Sequence, residues 1–202
     1  MKILLLLVGF ALLWGAGQGI YIGVTNLEQT SISCSEFEQN GTDKVWIELT
    51  DCYIDNLDVV ATFKEGDSNI DKNDDFYVSI KSSQEGPVFA FLKINDEFAK
   101  ATYANVFFLQ DDEAKYLEFF ERNPEQEEYV NTEGMSNISG LVLFGIDSED
   151  ADLDVLKGFI EREEFAILDQ NAEPDIGMSI FLFLLGLGSF GLFGYLSRGK
   201  SE

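Results

Sequence analysis

The chain has 202 residues, with 37 Asp and Glu against 13 Lys and Arg, no His, 18 Phe and 7 Tyr. So acidic a surface repels phosphate and anionic headgroups, which argues against nucleic acid as a partner. The lack of His removes Ser-His and Cys-His nucleophile pairs, His-ligated zinc and His proton shuttles.

The first segment opens MKILLLLVGFALLWGAGQGIYIGV and stays apolar from Ile3 to Val24, with Gln18 its one polar residue. Two readings stand. In the first, Lys2 is a short basic region, Ile3 to Leu13 the apolar region of a signal peptide, and Gly15-Ala16-Gly17 a place for a signal peptidase to cut. In the second, residues 3–24 form a retained transmembrane helix, long enough for a hydrocarbon core of ~30 Å at ~1.5 Å per residue. Ala11, Gly15, Gly19 and Gly23 recur every fourth position, as a small-xxx-small face for a second helix would. A cleaved peptide has no use for that stripe, so the second reading is favoured.

Three bases (Lys2, Arg198, Lys200) and one acid (Glu202) are terminal, so residues 25–175 hold 10 bases and 36 acids, a net charge of −26. This stretch is the size of one domain, and its aromatic and aliphatic content argues for a packed core rather than disorder.

Ser31 to Phe37 reads as a strand end followed by a short helix. Ser33 and Glu36 have capping-box spacing, and Asn40-Gly41 ends the turn. KVWIELTDCY (Lys44–Tyr53) alternates, with Ile47 and Leu49 on one face and Trp46 and Glu48 on the other. Leu57–Phe63, Phe76–Ile80 and Val88–Ile94 read as further strands. Asp96–Ala104 reads as a helix, and Asn105–Leu109 as a strand.

Asp111–Arg122 is a helix with acids in its first turn, stopped by Pro124. EQEEYVNTEG reads as an acidic linker. Ile138–Ile146 is a strand, Asp150–Glu163 a helix with Leu153, Leu156, Phe159 and Ile160 on one face, and Phe165–Leu168 a closing strand. Leu141–Leu168 has the order of a βαβ unit. The class is an α+β extracytoplasmic domain, a mostly antiparallel or mixed sheet with two or three helices on one side, between two transmembrane helices.

The second apolar span is Ile176 to Leu196, uncharged throughout, with Tyr195 at an interfacial position and a short basic tail at 197–202. Arg198 and Lys200 put that tail in the cytoplasm by the positive-inside rule, and Lys2 agrees at the other end. Gly186, Ser189 and Gly191 offer small residues for the first helix to pack on. The expected product is an integral membrane hairpin with both termini cytoplasmic and the acidic domain outside. AEPDIGMSIFLFLLGLGSFGLFGYLSRGK also resembles the tripartite sorting tails of bacterial surface proteins: a Pro-containing motif, an apolar span and basic residues. Ala172-Glu173-Pro174 stands where such tails carry Pro-Glu-Pro. The resemblance implies a surface protein with a cleaved signal peptide. Two membrane helices around one outer domain are also similar in topology to a beside-a-membrane arrangement.

Two residue groups bear on chemistry. Cys34 and Cys52 are an even pair in a domain expected to face an oxidising compartment, so they are a disulfide candidate. Two separate buried thiols are the alternative. GDSNIDKNDD gathers Asp67, Asp71, Asn73, Asp74 and Asp75, and clustered oxygens are what calcium needs. Asp67, Asp71, Asn73 and Asp75 are the candidate ligands. The EF-hand template nevertheless fails, with Phe76 at its Gly position and Ser82 at its Glu position. A solvated loop is the plainer reading, and no cofactor is expected. No phosphate loop or CxxC occurs, and GMSNISG (Gly134–Gly140) has the wrong spacing for a nucleophile elbow.

Two functional expectations follow. One is an interaction or assembly module that meets the bilayer and another membrane or envelope protein. The other is a membrane-bound hydrolase that works with carboxylates or a divalent cation.

Overall fold

A computed structural model describes residues 2–62, 74–109, 112–143, 150–160 and 165–198. The chain divides into two compact units: Thr30–Ala172, and a second made of Met1–Gln29 with Glu173–Glu202.

The second unit is a pair of helices, α1 (Lys2–Thr25) and α7 (Ile176–Arg198). The stretches Ile3–Thr25 and Ile176–Tyr195 are each long and apolar enough to cross a membrane. Their ends are built from local polar groups. The Asp175 carboxylate accepts from Met178 N at 2.8 Å and starts α7 as an N-cap. At the end of α1, Asn26 Nδ2 donates to Ile22 O at 2.8 Å and Thr25 Oγ1 to Tyr21 O at 2.7 Å, satisfying last-turn carbonyls.

The Thr30–Ala172 unit is a mixed sheet closed into a five-stranded barrel. Its strands are β2 (Trp46–Thr62), β3 (Asp75–Lys81), β4 (Val88–Lys93), β5 (Glu133–Leu143) and β6 (Ala166–Gln170). They pair in the order β2-β3-β4-β6-β5, and β5 pairs back onto β2. A short strand, β1 (Thr30–Ser33), runs parallel to the start of β2. Alternate residues point inward, as strand geometry requires. Ile47, Leu49, Phe76, Val78, Ile80, Ala90, Leu92, Ile138, Val142 and Leu168 form the interior with Tyr103 and Ala99. The intervening residues Val60, Tyr77, Phe91 and Ile167 face outward and are covered by Leu156 and Ile160.

Five helices among the described residues join the strands: α2 (Cys34–Asn40), α3 (Glu97–Leu109), α4 (Glu113–Arg122), α5 (Pro124–Val130) and α6 (Asp150–Lys157). The expectation of two or three helices on one side is therefore corrected. α2 and α3 contribute to the interior cluster, whereas Leu156 of α6 belongs to the outer one.

Four local expectations change for identifiable reasons. The expected strands Lys44–Tyr53 and Leu57–Phe63 are not separate where they are described; β2 runs from Trp46 to Thr62 and absorbs the irregularity in bulges. Asp51 takes φ 54 at one of them. Asn105–Leu109 is not a strand but the end of α3. The Asp96 carboxylate caps that helix by accepting from Ala99 N at 2.8 Å, and Tyr103 and Phe107 lie one turn apart against Phe76. Tertiary packing overrides the β-propensity of Val106-Phe107-Phe108. Pro124 ends α4 and also opens α5 at its first position, where its missing N–H costs nothing. The acidic linker is thus largely helical. Finally, β5 and β6 are antiparallel, so Leu141–Leu168 is not a βαβ unit; the parallel partner of β6 is β4.

Ser33 caps α2 by accepting from Glu36 N at 3.2 Å, and Gly41 ends it at φ 62, as the capping-box spacing anticipated.

Candidate functional site

Among the described residues, the seam of the helix pair and a cavity at one end of the barrel combine close geometry with chemistry.

The seam is antiparallel. A Cβ on Gly9 would stand 2.9 Å from Phe190 Cε2, and one on Gly186 would stand 2.8 Å from Leu13 Cδ2. A Cβ on Gly19 would collide with Ser179 Oγ, and one on Gly23 with Ile176 Cγ1. Ala16 is fully buried between them. Phe10 meets Phe190 edge-to-face at 5.0 Å, a geometry worth about 1 kcal/mol beyond area.

The contact positions 9, 13, 16, 19 and 23 average 3.5 residues apart, the spacing of a left-handed two-helix seam. The every-fourth stripe does not follow that line. Each step of four advances about 40° around a helix with 3.6 residues per turn. Gly19 and Gly23 therefore lie on the seam. Ala11 is exposed, and Gly15 has no neighbour within 4 Å. On α7, Gly186 is on the seam. A Cβ on Gly191 would meet none of the described residues within 4 Å, and half-buried Ser189 returns its hydroxyl to Leu185 O at 3.0 Å. Gly9, Leu13 and Ala16 were missed by the stripe; counting in sevens from Gly9 through Ala16 to Gly23 would have found the line.

Cys34 and Cys52 stand at disulfide distance, with Cα atoms 5.2 Å apart, 18 residues apart in sequence. Both are fully buried in the barrel interior, joining the first residue of α2 to β2 just past the Asp51 bulge. Of the candidate calcium ligands, Asp67, Asp71 and Asn73 lie outside the described residues. Asp75 opens β3, and its carboxylate is held by Lys93 at 2.8 Å and Lys100 at 3.5 Å. Two ammonium groups there already supply the positive charge a cation would bring. Among the described residues no three acidic, His or Cys side chains gather in a metal-holding group.

The cavity has a volume of about 230 Å³. Its apolar wall is Ile54, Leu92, Ile94 and Ile138; its polar rim is the amides and hydroxyls of Asn56, Asn137, Gln170, Asn171, Ser136 and Ser139, with Tyr129 and Thr132. Among the described residues the lining holds no Asp, Glu, Lys or Arg.

Hydrogen bonds set the rim. Asn56 Nδ2 donates to Tyr129 O at 2.8 Å, and Asn171 N donates to Ser139 O at 2.9 Å. Gln170 Oε1 accepts from Asn95 N at 3.1 Å. Asn171 turns the chain away from β6 at φ 55, a conformation Asn tolerates better than most residues. Beneath the rim, the phenol of Tyr103 is buried and Tyr129 stacks edge-on to it at 5.8 Å. Burial pushes the Tyr103 phenol far above its ordinary value, and the Tyr129 phenol adds to that; burial raises Tyr129 as well.

Compared with family models, curated proteins and solved structures, the chain matches none of them.

Proposed function

We propose that the protein is a membrane-anchored extracytoplasmic interaction or assembly module, whose barrel domain is held close to the bilayer by a two-helix hairpin. The observation that carries this reading is the α1–α7 seam, where glycines stand opposite larger side chains along both helices. In lipid, apolar character does not drive helices together, so close packing of this kind is what pairing requires. A signal peptide destined for removal gains nothing from such a fit.

Three features support the rest. Lys2 at one end and Arg198 and Lys200 at the other favour a cytoplasmic location for both termini. A cysteine pair at disulfide distance suits an oxidising compartment for the domain. The charge of −26 over residues 25–175 suits electrostatic steering of a basic partner, a second membrane or envelope protein.

The test is the intact mass of the protein extracted from its native membrane, with protease protection of the same vesicles. The reading requires a full-length mass and a domain cut only from the outer side. A mass lacking the first helix would replace the hairpin with a single C-terminal anchor, as the sorting-tail resemblance implies. An orthodox hydrolase would instead show turnover abolished by a single Asp or Glu substitution.

A further inference from the structure

The cavity exists because two neighbouring strands differ in length. β5 runs from Glu133 to Leu143, but β6 pairs with it only along Gly140–Leu143. The contact ends with Asn171 N on Ser139 O, where Asn171 turns away. On its other side β5 stays paired with β2 from Leu141 back to Glu133. From Glu133 to Ile138, no strand among the described residues lies on the β6 side. The cavity fills that place, between β5 and the end of β4 at Leu92 and Ile94.

The alternation of an antiparallel strand says which backbone groups face the gap. Val142 N donates to Val45 O on the β2 side, and Ser139 O accepts on the β6 side. Even-numbered residues therefore point to β2, and Met135 and Asn137 point to the gap. Their N–H and C=O groups form an open edge beside the cavity.

We propose that this edge binds an extended peptide segment of a partner protein, which continues the line of β6 along Met135–Asn137 and places an uncharged side chain in the cavity. The proposal rests on the interaction-module reading and names its site. Size decides against a cofactor: about 230 Å³ is below the ~300–1,000 Å³ of small-molecule pockets. It is room for about eight waters, the scale of a side chain rather than a ligand. The uncharged lining selects a neutral residue inside, because an unpaired charge there would be desolvated. The net charge of −26 over residues 25–175 selects Lys or Arg on either flank of the segment.

The test presents the full chain, in lipid nanodiscs, to displayed random peptides of about twelve residues, enough for a strand of about five or six residues with both flanks. Enrichment of sequences with a neutral centre and basic flanks is expected, with their binding slowing hydrogen exchange at the Met135 and Asn137 amides of the wild-type chain. Asn137→Pro removes the edge donor and leaves the β2 ladder whole. It should weaken binding about tenfold, the worth of one backbone hydrogen bond. Asn137→Ala keeps the N–H while losing the side-chain oxygen that accepts from Asp51 N and a polar group of the rim, so it should bind more tightly than Asn137→Pro, and equal losses in the two variants would overturn the proposal. No enrichment over empty nanodiscs, or bound peptides that leave both amides unprotected, would overturn the proposal. So would a chain that pairs this edge with a second copy of itself. Failure here with a full-length intact mass removes the peptide edge alone; success with a truncated mass removes the hairpin and keeps the edge.

Discussion

Glycine meets different neighbours in the two units. In the barrel, a Cβ on Gly140 would strike the backbone carbonyl of Asp169 on β6. That carbonyl belongs to a strand bonded on both sides and has nowhere to go. In the helix pair, Cβ atoms on Gly9, Gly19 and Gly23 would meet side chains, of Phe190, Ser179 and Ile176. A side chain can change rotamer, and one helix can slide along another. The barrel should therefore resist small changes and fail sharply, whereas the helix pair should yield by degrees.

The largest break is expected at the cysteines. Replacing Cys34 and Cys52 with Ala should destabilise the barrel by about 3 kcal/mol in the loop-entropy account of a bond closing a loop of this size. A urea titration of the full chain in micelles, followed by near-ultraviolet dichroism, would read it. Unchanged midpoints with and without reductant would mean two thiols rather than a bond.

Gly140→Ala should come next, at about 2 kcal/mol, since an overpacked methyl must displace a strand backbone. The same titration measures it, and the helical signal of α1 and α7 should persist after the barrel has melted. A neutral Gly140→Ala would remove the contrast between the units.

Alkali offers a third break. The Tyr103 and Tyr129 phenols are raised in the folded protein. Both keep their protons while the unfolded chain loses them near pH ~10. The unfolded state then binds fewer protons, so stability is flat below that pH and falls as pH rises through and beyond it. Tyr103→Phe should soften the fall by removing the phenol that burial raises most. An alkaline limb identical in wild type and variant would show that Tyr103 ionises in the folded barrel.

The smallest effects on folding are expected in the seam. Gly19→Leu and Gly23→Leu should spread the helices and lower cross-linking between them, whereas Gly15→Leu, with open space around it, should do nothing. Equal effects at the three positions would return the packing face to the every-fourth stripe.

What was legible in the sequence follows from the range of the interactions involved. The apolar spans, the Ser33 cap and the inward face of Ile47 and Leu49 depend on neighbours a few residues away, and local patterns carry them. The Cys34–Cys52 proximity rested on parity and compartment, and the fold brings the two together. The direction of β6 was not legible. Its parallel partner β4 lies more than seventy residues earlier, and nothing in Phe165–Leu168 encodes that choice. The run Asn105–Leu109 misled because its β-formers are held helical by contacts with β3, on a distant stretch of chain. The cavity was the least legible feature. It arises from an eleven-residue strand beside a five-residue one, and its lining of Asn, Gln and Ser resembles any loop. GMSNISG drew notice only as a failed elbow, yet it supplies much of one wall.

Cross-linking in native membranes tests the central claim most directly. Cysteines at Leu13 and Gly186, introduced in pairs, should join readily because those residues face each other across the seam. Cysteines at Gly15 and Gly191 should not. Joining at both pairs alike, or at neither in a chain that has lost its first helix, would contradict a retained antiparallel hairpin.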